Sequence, residues 1–447
     1  MRWSARWSRA GWRHRSAASS AACAGADRPA GAGAEALVLV LALVLAGAAA
    51  ECDAMLIARF FGAAELHRDD KLASVRFLKP FCVLSTCHAN GGFADHLDMV
   101  FNHQSCEPVG HIIPALHEAY RQPQRYVAGL VAGHGLEGAA AGLATAANIN
   151  TLAVAEETYR DLAVVALATA GVEGGAARAG DPASYYEYDG RFELRGDIGP
   201  ATPGTINLIV LVNTPMTAGA LVRAVMTATE AKAAVLQELS VPSRQSPSIA
   251  TGTGTDQIAV AAPAEGTKPL TGAGHHCALG ELIGKAAMAA IREAVARQNL
   301  LVPARQCAVS RLIERYGFDV ERLAEAVAAH LPADVAAMLR DNRDVIDRDP
   351  RTVALAAALI HVHDQVRWGV LPAACWRESA AELGAALAVA VAGVPARREA
   401  YRAALAERLA GAAGDGPAEV VVQALALGLP DKWTRTADML AAVVARE

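Results

Sequence analysis

Residues 204–262 run GTINLIVLV, then TPMTAGALVRAVMTATEAKAAVLQELSV, then ATGTGTD and QIAVAA, which reads strand, helix, glycine–threonine loop, strand. The first run is unbroken, apolar and rich in β-branched residues, the pattern of a strand buried on both faces. The second has helical periodicity, with Thr217 placed as its N-cap. The loop gathers permissive glycines and hydroxyls just before the next β-type run. A strand buried on both faces needs cover on both sides. The segment therefore commits the chain to sheet and helix in layers.

On a helical wheel of residues 217–239, Leu221, Val225, Ala228, Val235, Leu236 and Leu239 gather on one side with Lys232 in their midst. A lysine on a buried face is rare unless it is paired. It can hold a ligand's carboxylate or phosphate, or steady a developing oxyanion. Alternatively its stem packs while its head reaches solvent. Glu230 lies nearly opposite with Gln237, Thr227 and Arg223, as a solvated face does, and takes no chemical role. In the loop, Thr251, Thr253, Thr255 and Asp256 surround Gly252 and Gly254. Such a loop exposes backbone N–H groups that can receive a phosphate or an oxyanion. No Gly-Lys-Ser/Thr follows, so it is not the phosphate-binding P-loop. Asp256 can activate a water or orient another group. A tight turn closed by an Asx-type hydrogen bond is the plainer alternative.

Composition narrows the class. The 447 residues leave room for two or three domains, and 53% hydrophobic with 5% aromatic content means cores of Ala, Val and Leu. A formal net charge of −5 argues against nucleic acid as a partner. The eight cysteines form no CxxC pair, which favours a reducing compartment. The N-terminus points the other way. Residues 1–26 hold five arginines and no acids, and ALVLVLALVLA at 36–46 precedes Ala48-Ala49-Ala50, the layout of a signal peptide. The apolar run is too short for a comfortable span, so no stable membrane insertion is expected. The other reading starts translation at Met55 and leaves 1–54 as a tail that adds nothing to the fold.

Residues 160–172 and 205–214 read as strands separated by a Gly/Asp/Tyr-rich excursion. Its Tyr185, Tyr186 and Tyr188 can pave a surface for a large flat ligand, or pack as an ordinary loop. A helix over 277–297 carries Gly280, Ile283, Gly284, Ala287 and Ile291 on its apolar side, and both glycines are expected to let it approach the sheet. After Pro303 come long Ala/Leu/Arg/Glu periodic stretches broken at LPAD, DRDP, GVLP and GDGP. The expectation is an α/β or α+β main domain over 55–300, a mixed sheet flanked by helices, followed by an all-helical domain over 301–447.

TAGVEGGAARAGDP (169–182), the strand–helix–loop phrase and GHHCALGELIG (274–284) occur in the order found in adenosylcobinamide amidohydrolases. The chain resembles that corrinoid-salvage family over roughly residues 70–300. Asn90-Gly91-Gly92 and Asn102-His103-Gln104 resemble the family's N-terminal Asn-Gly-Gly and Asn-His segments. The family's Gly-Thr-His-Thr-Lys-Leu-Gly-Glu pattern aligns its histidine with His276, and the chain departs from it at His275, Cys277 and Ala278. A Cys277–His nucleophile couple is set aside, since Cys277 is itself a departure.

The resemblance implies hydrolysis of the amide joining the aminopropanol arm to the corrin ring, giving adenosylcobyric acid. It implies a corrinoid substrate, no cofactor, a cytoplasmic setting and room for a homo-oligomer; a genuine signal at 1–50 would mean export instead. Asp256 or His276 would handle the proton, and Lys232 with Thr253 and Thr255 would anchor substrate or oxyanion. Thr251, Asn90, Asn102 and Glu281 complete the expected substrate contacts, although Glu281 also stands four residues before Lys285, the spacing of a surface pair. A corrinoid carrier without hydrolysis is the alternative.

His88, His96, His103, His111, His117 and His134, with Cys82, Cys87 and Cys106, fit no standard zinc spacing, so no metal is assigned. An imidazole among them could instead approach a corrinoid cobalt. HVHD at 361–364 falls in a helical pattern and reads as structural.

Overall fold

The computed structural model describes residues 54–105, 122–188, 191–196, 204–410 and 416–444. The tail expected up to residue 53, and Cys106, His111 and His117 of the histidine crowd, lie outside the described residues.

Two mixed sheets face each other. The first has the order β1 (Met55–Phe60), β2 (Ala64–Asp69), β3 (Leu72–Phe77), β6 (Met99–Gln104), β7 (Ala140–Thr145), antiparallel except for the parallel β6–β7 pair. The second runs β5 (Gly92–Ala94), β4 (Phe81–Ser85), β15 (Gln257–Pro263), β13 (Thr205–Val212), β9 (Leu162–Gly171), β8 (Ala153–Tyr159), with β13 and β15 parallel. The residue alternation of each strand decides the layers. Leu167, Ile209, Leu211 and Ala261 share one core with Leu66, Val75, Val100 and Leu143 of the first sheet. Their neighbours Ala166, Leu208, Val210 and Val260 pack instead under α2 (Ala218–Glu238) and α3 (Ala278–Asn299). Beyond the first sheet, Phe101 and Met99 meet Val127 of α1 (Pro123–Gly133). The strands are thus mixed and flanked by helices, as the sequence implies. The structure adds that the long strands divide between two sheets: an apolar strand records that it is covered, not whether helix or sheet covers it.

Two short pairs lie outside these sheets: β10 (Ala176–Ala177) with β14 (Gly252–Thr253), and the hairpin β11 (Tyr185–Tyr188) with β12 (Arg191–Leu194).

The four sequence breaks after residue 303 fall at helix starts. Pro332 caps α7 (Ala333–Asp347) and Pro372 caps α9 (Ala373–Ala392). Asp349 accepts from Thr352 N at the head of α8 (Pro350–Arg367), and Pro417 opens α11 (Pro417–Val444). Proline suits these positions because the first helical N–H groups have no intrahelical acceptor. Ahead of them come α4 (Pro303–Gln306), α5 (Val309–Ile313) and α6 (Val320–Ala328), and α10 (Arg398–Ala410) precedes α11. Leu359, Leu387, Leu405 and Leu425 anchor a core cluster of their own, and residues 54–447 together form one compact unit. Among the described residues no helix is long and apolar enough to cross a membrane.

Candidate active site

Thr217 caps α2, its hydroxyl accepting from Ala220 N at 3.3 Å. The helix buries Leu221, Ala224, Ala228, Val235 and Leu236 against the second sheet, and Lys232 is buried with them. Its head does not reach out to solvent. Nζ donates to Asp256 Oδ2, and the two side chains are only 10% and 8% exposed. Asp256 stands at the entrance to β15, beside the start of β13, because those strands are parallel neighbours. Its other contacts fill the carboxylate: Oδ2 accepts from Thr253 N (2.9 Å), and Oδ1 from Ile206 N (2.8 Å) and Thr253 Oγ1 (2.5 Å). Four donors thus occupy the four lone-pair sites of the carboxylate. Lys232 has three donors and uses one on Asp256; the other two meet no partner among the described residues.

Gly252 makes this possible. A Cβ there would sit 2.6 Å from Asp256 Oδ2 and 2.9 Å from Lys232 Nζ, so the ion pair needs the bare backbone beside it. The threonines bind the loop itself. Thr251 Oγ1 accepts from Ala179 N (2.8 Å), while Thr255 Oγ1 lies 2.7 Å from Thr205 Oγ1 and donates to Gly204 O at 2.9 Å. The turn-type hydrogen bonding anticipated as the plainer alternative is therefore present, and it encloses a buried ammonium as well.

The other expected site residues fall elsewhere. His276 is exposed and has no partner among the described residues. Its loop is tied to the middle of α2 by His275–Glu230 (2.7 Å) and by Thr227 Oγ1 donating to Ala273 O (2.7 Å). That corrects one helical-wheel assignment, since Thr227 is buried; Glu230 lies exposed as expected, with His275 beside it. Glu281 is exposed and pairs with Lys285 at 2.5 Å. Asn90 donates to Ala140 O (2.8 Å) at the start of β7, the far end from the Gly/Thr loop.

Asn102 is 2% exposed, between the sheets. It donates to Thr169 Oγ1 and accepts from Asn207 Nδ2, both at 2.8 Å. Asn207 also donates to Ala144 O (3.0 Å), and Gln257 accepts from Ala144 N (2.8 Å). These residues form a polar layer behind the loop, and the buried Asn207 Oδ1 atom in it has no partner among the described residues. Sequence reasoning passed over Asn207, although a lone Asn in the apolar run GTINLIVLV is a visible signal.

Of the histidine crowd, His103 lies 2.9 Å from Tyr126 Oη through Nδ1, and His134 Nδ1 lies 2.6 Å from Asp69 Oδ2. Among the described residues no three His, Cys, Asp or Glu side chains are grouped to hold a metal. Asp364 of HVHD pairs with Arg315, and His363 packs on Trp376. Burial, reinforced by His134 and Lys71 and opposed by Asp70, pushes His103 down to about 4. The unfolded chain then binds the proton first as pH falls, so this stabilisation is full above pH ~6.5 and is lost as pH drops from there towards 4. Urea midpoints measured between pH 4 and 7 should fall with pH, and His103→Gln should flatten that slope.

The adenosylcobinamide amidohydrolase (CbiZ) family model matches residues 58–303. The chain belongs to the adenosylcobinamide amidohydrolase family. The matched segment contains both sheets apart from the first three residues of β1, with the Lys232–Asp256 pair and the Gly/Thr loop, and it ends where the helical region begins. A stretch of 162 residues is 41% identical to the uncharacterized protein MJ1613 of Methanocaldococcus jannaschii, covering 35% of this chain and 63% of that protein. The chain thus spans less than two thirds of that relative. Among solved structures, the PH0078 protein from Pyrococcus horikoshii OT3 matches over 52% of this chain and 77% of its own, with TM-score 0.26. A Burkholderia sp. beta-aminopeptidase matches over 54% and 82%, with TM-score 0.27; both are 12% identical. At those scores neither bears on fold or chemistry.

Proposed function

We propose that this amidohydrolase-family chain hydrolyses the amide between the aminopropanol arm and the corrin propionyl chain of adenosylcobinamide, giving adenosylcobyric acid. The observation that carries the reading is the buried Lys232 ammonium, fixed by Asp256 beneath the Gly/Thr loop inside the family-matched segment. Water adds to the amide carbon while the carbonyl electrons move onto oxygen, and the two free Lys232 N–H groups meet that oxyanion. Collapse re-forms the carbonyl and breaks the C–N bond. The proton given up by the water passes to the nitrogen, which leaves as aminopropanol, and the corrinoid keeps the carboxylate. Asp256 acts here as the clamp that aims Lys232, with Thr253 holding the clamp.

The stacked pair Tyr186–Tyr188 (centroids 5.8 Å apart), 62% and 47% exposed on the β11–β12 hairpin, suits a flat apolar ring outside the loop. The reaction is placed in the cytoplasm, in keeping with cysteines that remain free among the described residues.

The carrier reading also has an observation in its favour: every acceptor site of Asp256 is occupied, and His276 has no partner among the described residues. Incubation with adenosylcobinamide separates the two. Hydrolysis releases aminopropanol and leaves a cobyric acid mass; a corrinoid that binds yet returns unchanged leaves only the carrier.

A further inference from the structure

The helical region lies beyond the segment matched by the family, and two of its arginines reach the segment that leads into the Gly/Thr loop. Arg367, the last residue of α8, donates to Pro247 O at 3.0 Å and to Ser248 Oγ. Arg315 donates to the same Pro247 O at 3.3 Å, and its guanidinium is fixed by buried Asp364. Arg178, from the TAGVEGG loop, donates to Ile249 O at 3.2 Å and lies 5.8 Å from the Trp368 ring. Nearby, Arg244 bonds Glu314 at 2.9 Å and Glu173 O at 2.6 Å, and Arg305 bonds Glu173 at 2.8 Å.

Residues 247, 248 and 249 are thus gripped one after another, two residues short of Thr251 and three short of Gly252. From there the chain has little freedom. Ala250 N donates to Val241 O, Thr251 N to Ala177 O, and Gln237 Nε2 to Ala250 O. Whatever fixes 247–249 therefore fixes the height at which Gly252 passes the Lys232–Asp256 pair. Guanidinium forks suit this task because they are planar and hold two acceptors at set angles.

We infer that the helical region is a positioning device for the Gly/Thr loop, acting through Arg367 and Arg315 on Pro247 and Ser248. The kinetic part of this inference rests on the hydrolytic reading of that loop; the mechanical part does not. Arg367 is the residue to change, since it is exposed and its loss leaves no buried charge unpaired.

The test compares the full chain with Arg367→Met, Arg367→Lys and, from the loop side, Ser248→Ala. In Arg367→Met, amide hydrogen exchange across residues 243–253 should rise about tenfold, the population change expected from losing a charge-assisted hydrogen bond. Exchange in β9, β13 and β15 should not change. The kcat for aminopropanol release should fall about tenfold with little change in KM, since a misplaced catalytic group costs rate rather than binding. Arg367→Lys should recover part of both effects, and Ser248→Ala should show the same pattern more weakly. Exchange at 243–253 as slow in Arg367→Met and Ser248→Ala as in the native chain overturns the inference, as does raised exchange with full kcat. Should the native chain release no aminopropanol, the function proposed above fails, and the exchange data alone decide the clamp.

Discussion

Lys232→Met should lose on the order of 10²-fold in hydrolysis rate, the cost of removing one oxyanion donor from a preorganised site. The same change should destabilise the protein by about 3–5 kcal/mol, because it strands a buried carboxylate without its cation. An unpaired functional lysine could give way to Met with the fold intact, whereas Lys232 is paired with a carboxylate only 8% exposed. The double variant Lys232→Met/Asp256→Asn separates the two effects. With no uncompensated charge it should regain part of the stability, while the rate stays low. Urea unfolding and product assays on the same preparations decide it. A full-rate Lys232→Met enzyme removes Lys232 from the site, and an undiminished urea midpoint denies the ion pair its structural part.

Gly280→Ala and Gly284→Ala should move stability in opposite directions although both lie in α3. A Cβ at Gly280 would stand 2.1 Å from Gly274 O and 2.6 Å from Ala273 O, both rigid backbone, so a loss of about 1–3 kcal/mol is expected from overpacking. At Gly284 nothing lies within 4 Å, and alanine should add about 0.5–1 kcal/mol by lowering the entropy cost of the helix. The sequence placed both glycines against the sheet. The close approach belongs to Gly280 alone, and it is to the helix's own entry loop. Paired urea midpoints test the contrast, and equal shifts in the two variants would contradict it.

What the sequence determined by itself was local or periodic. Thr217 as a cap, the strands around 162–171 and 205–212, and helix starts at Pro350 and Pro417 all follow from residue type against its immediate neighbours. The family was legible for the same reason, since its motifs are contiguous strings. Lys232 stood out because a charge in an apolar stripe breaks the 3.6-residue pattern. What the pattern could not say was whether that charge has a partner. Asp256 lies 24 residues on, and only the parallel pairing of β13 and β15 brings it under the helix. The same holds for Asn102, whose partners Thr169 and Asn207 lie 67 and 105 residues away. Periodicity fixes the face a side chain takes, and long-range pairing fixes what it meets there. That is why the elements could be read from the chain, while the pairing of Lys232 with Asp256 and the arginine grip on 247–249 were decided by tertiary structure alone.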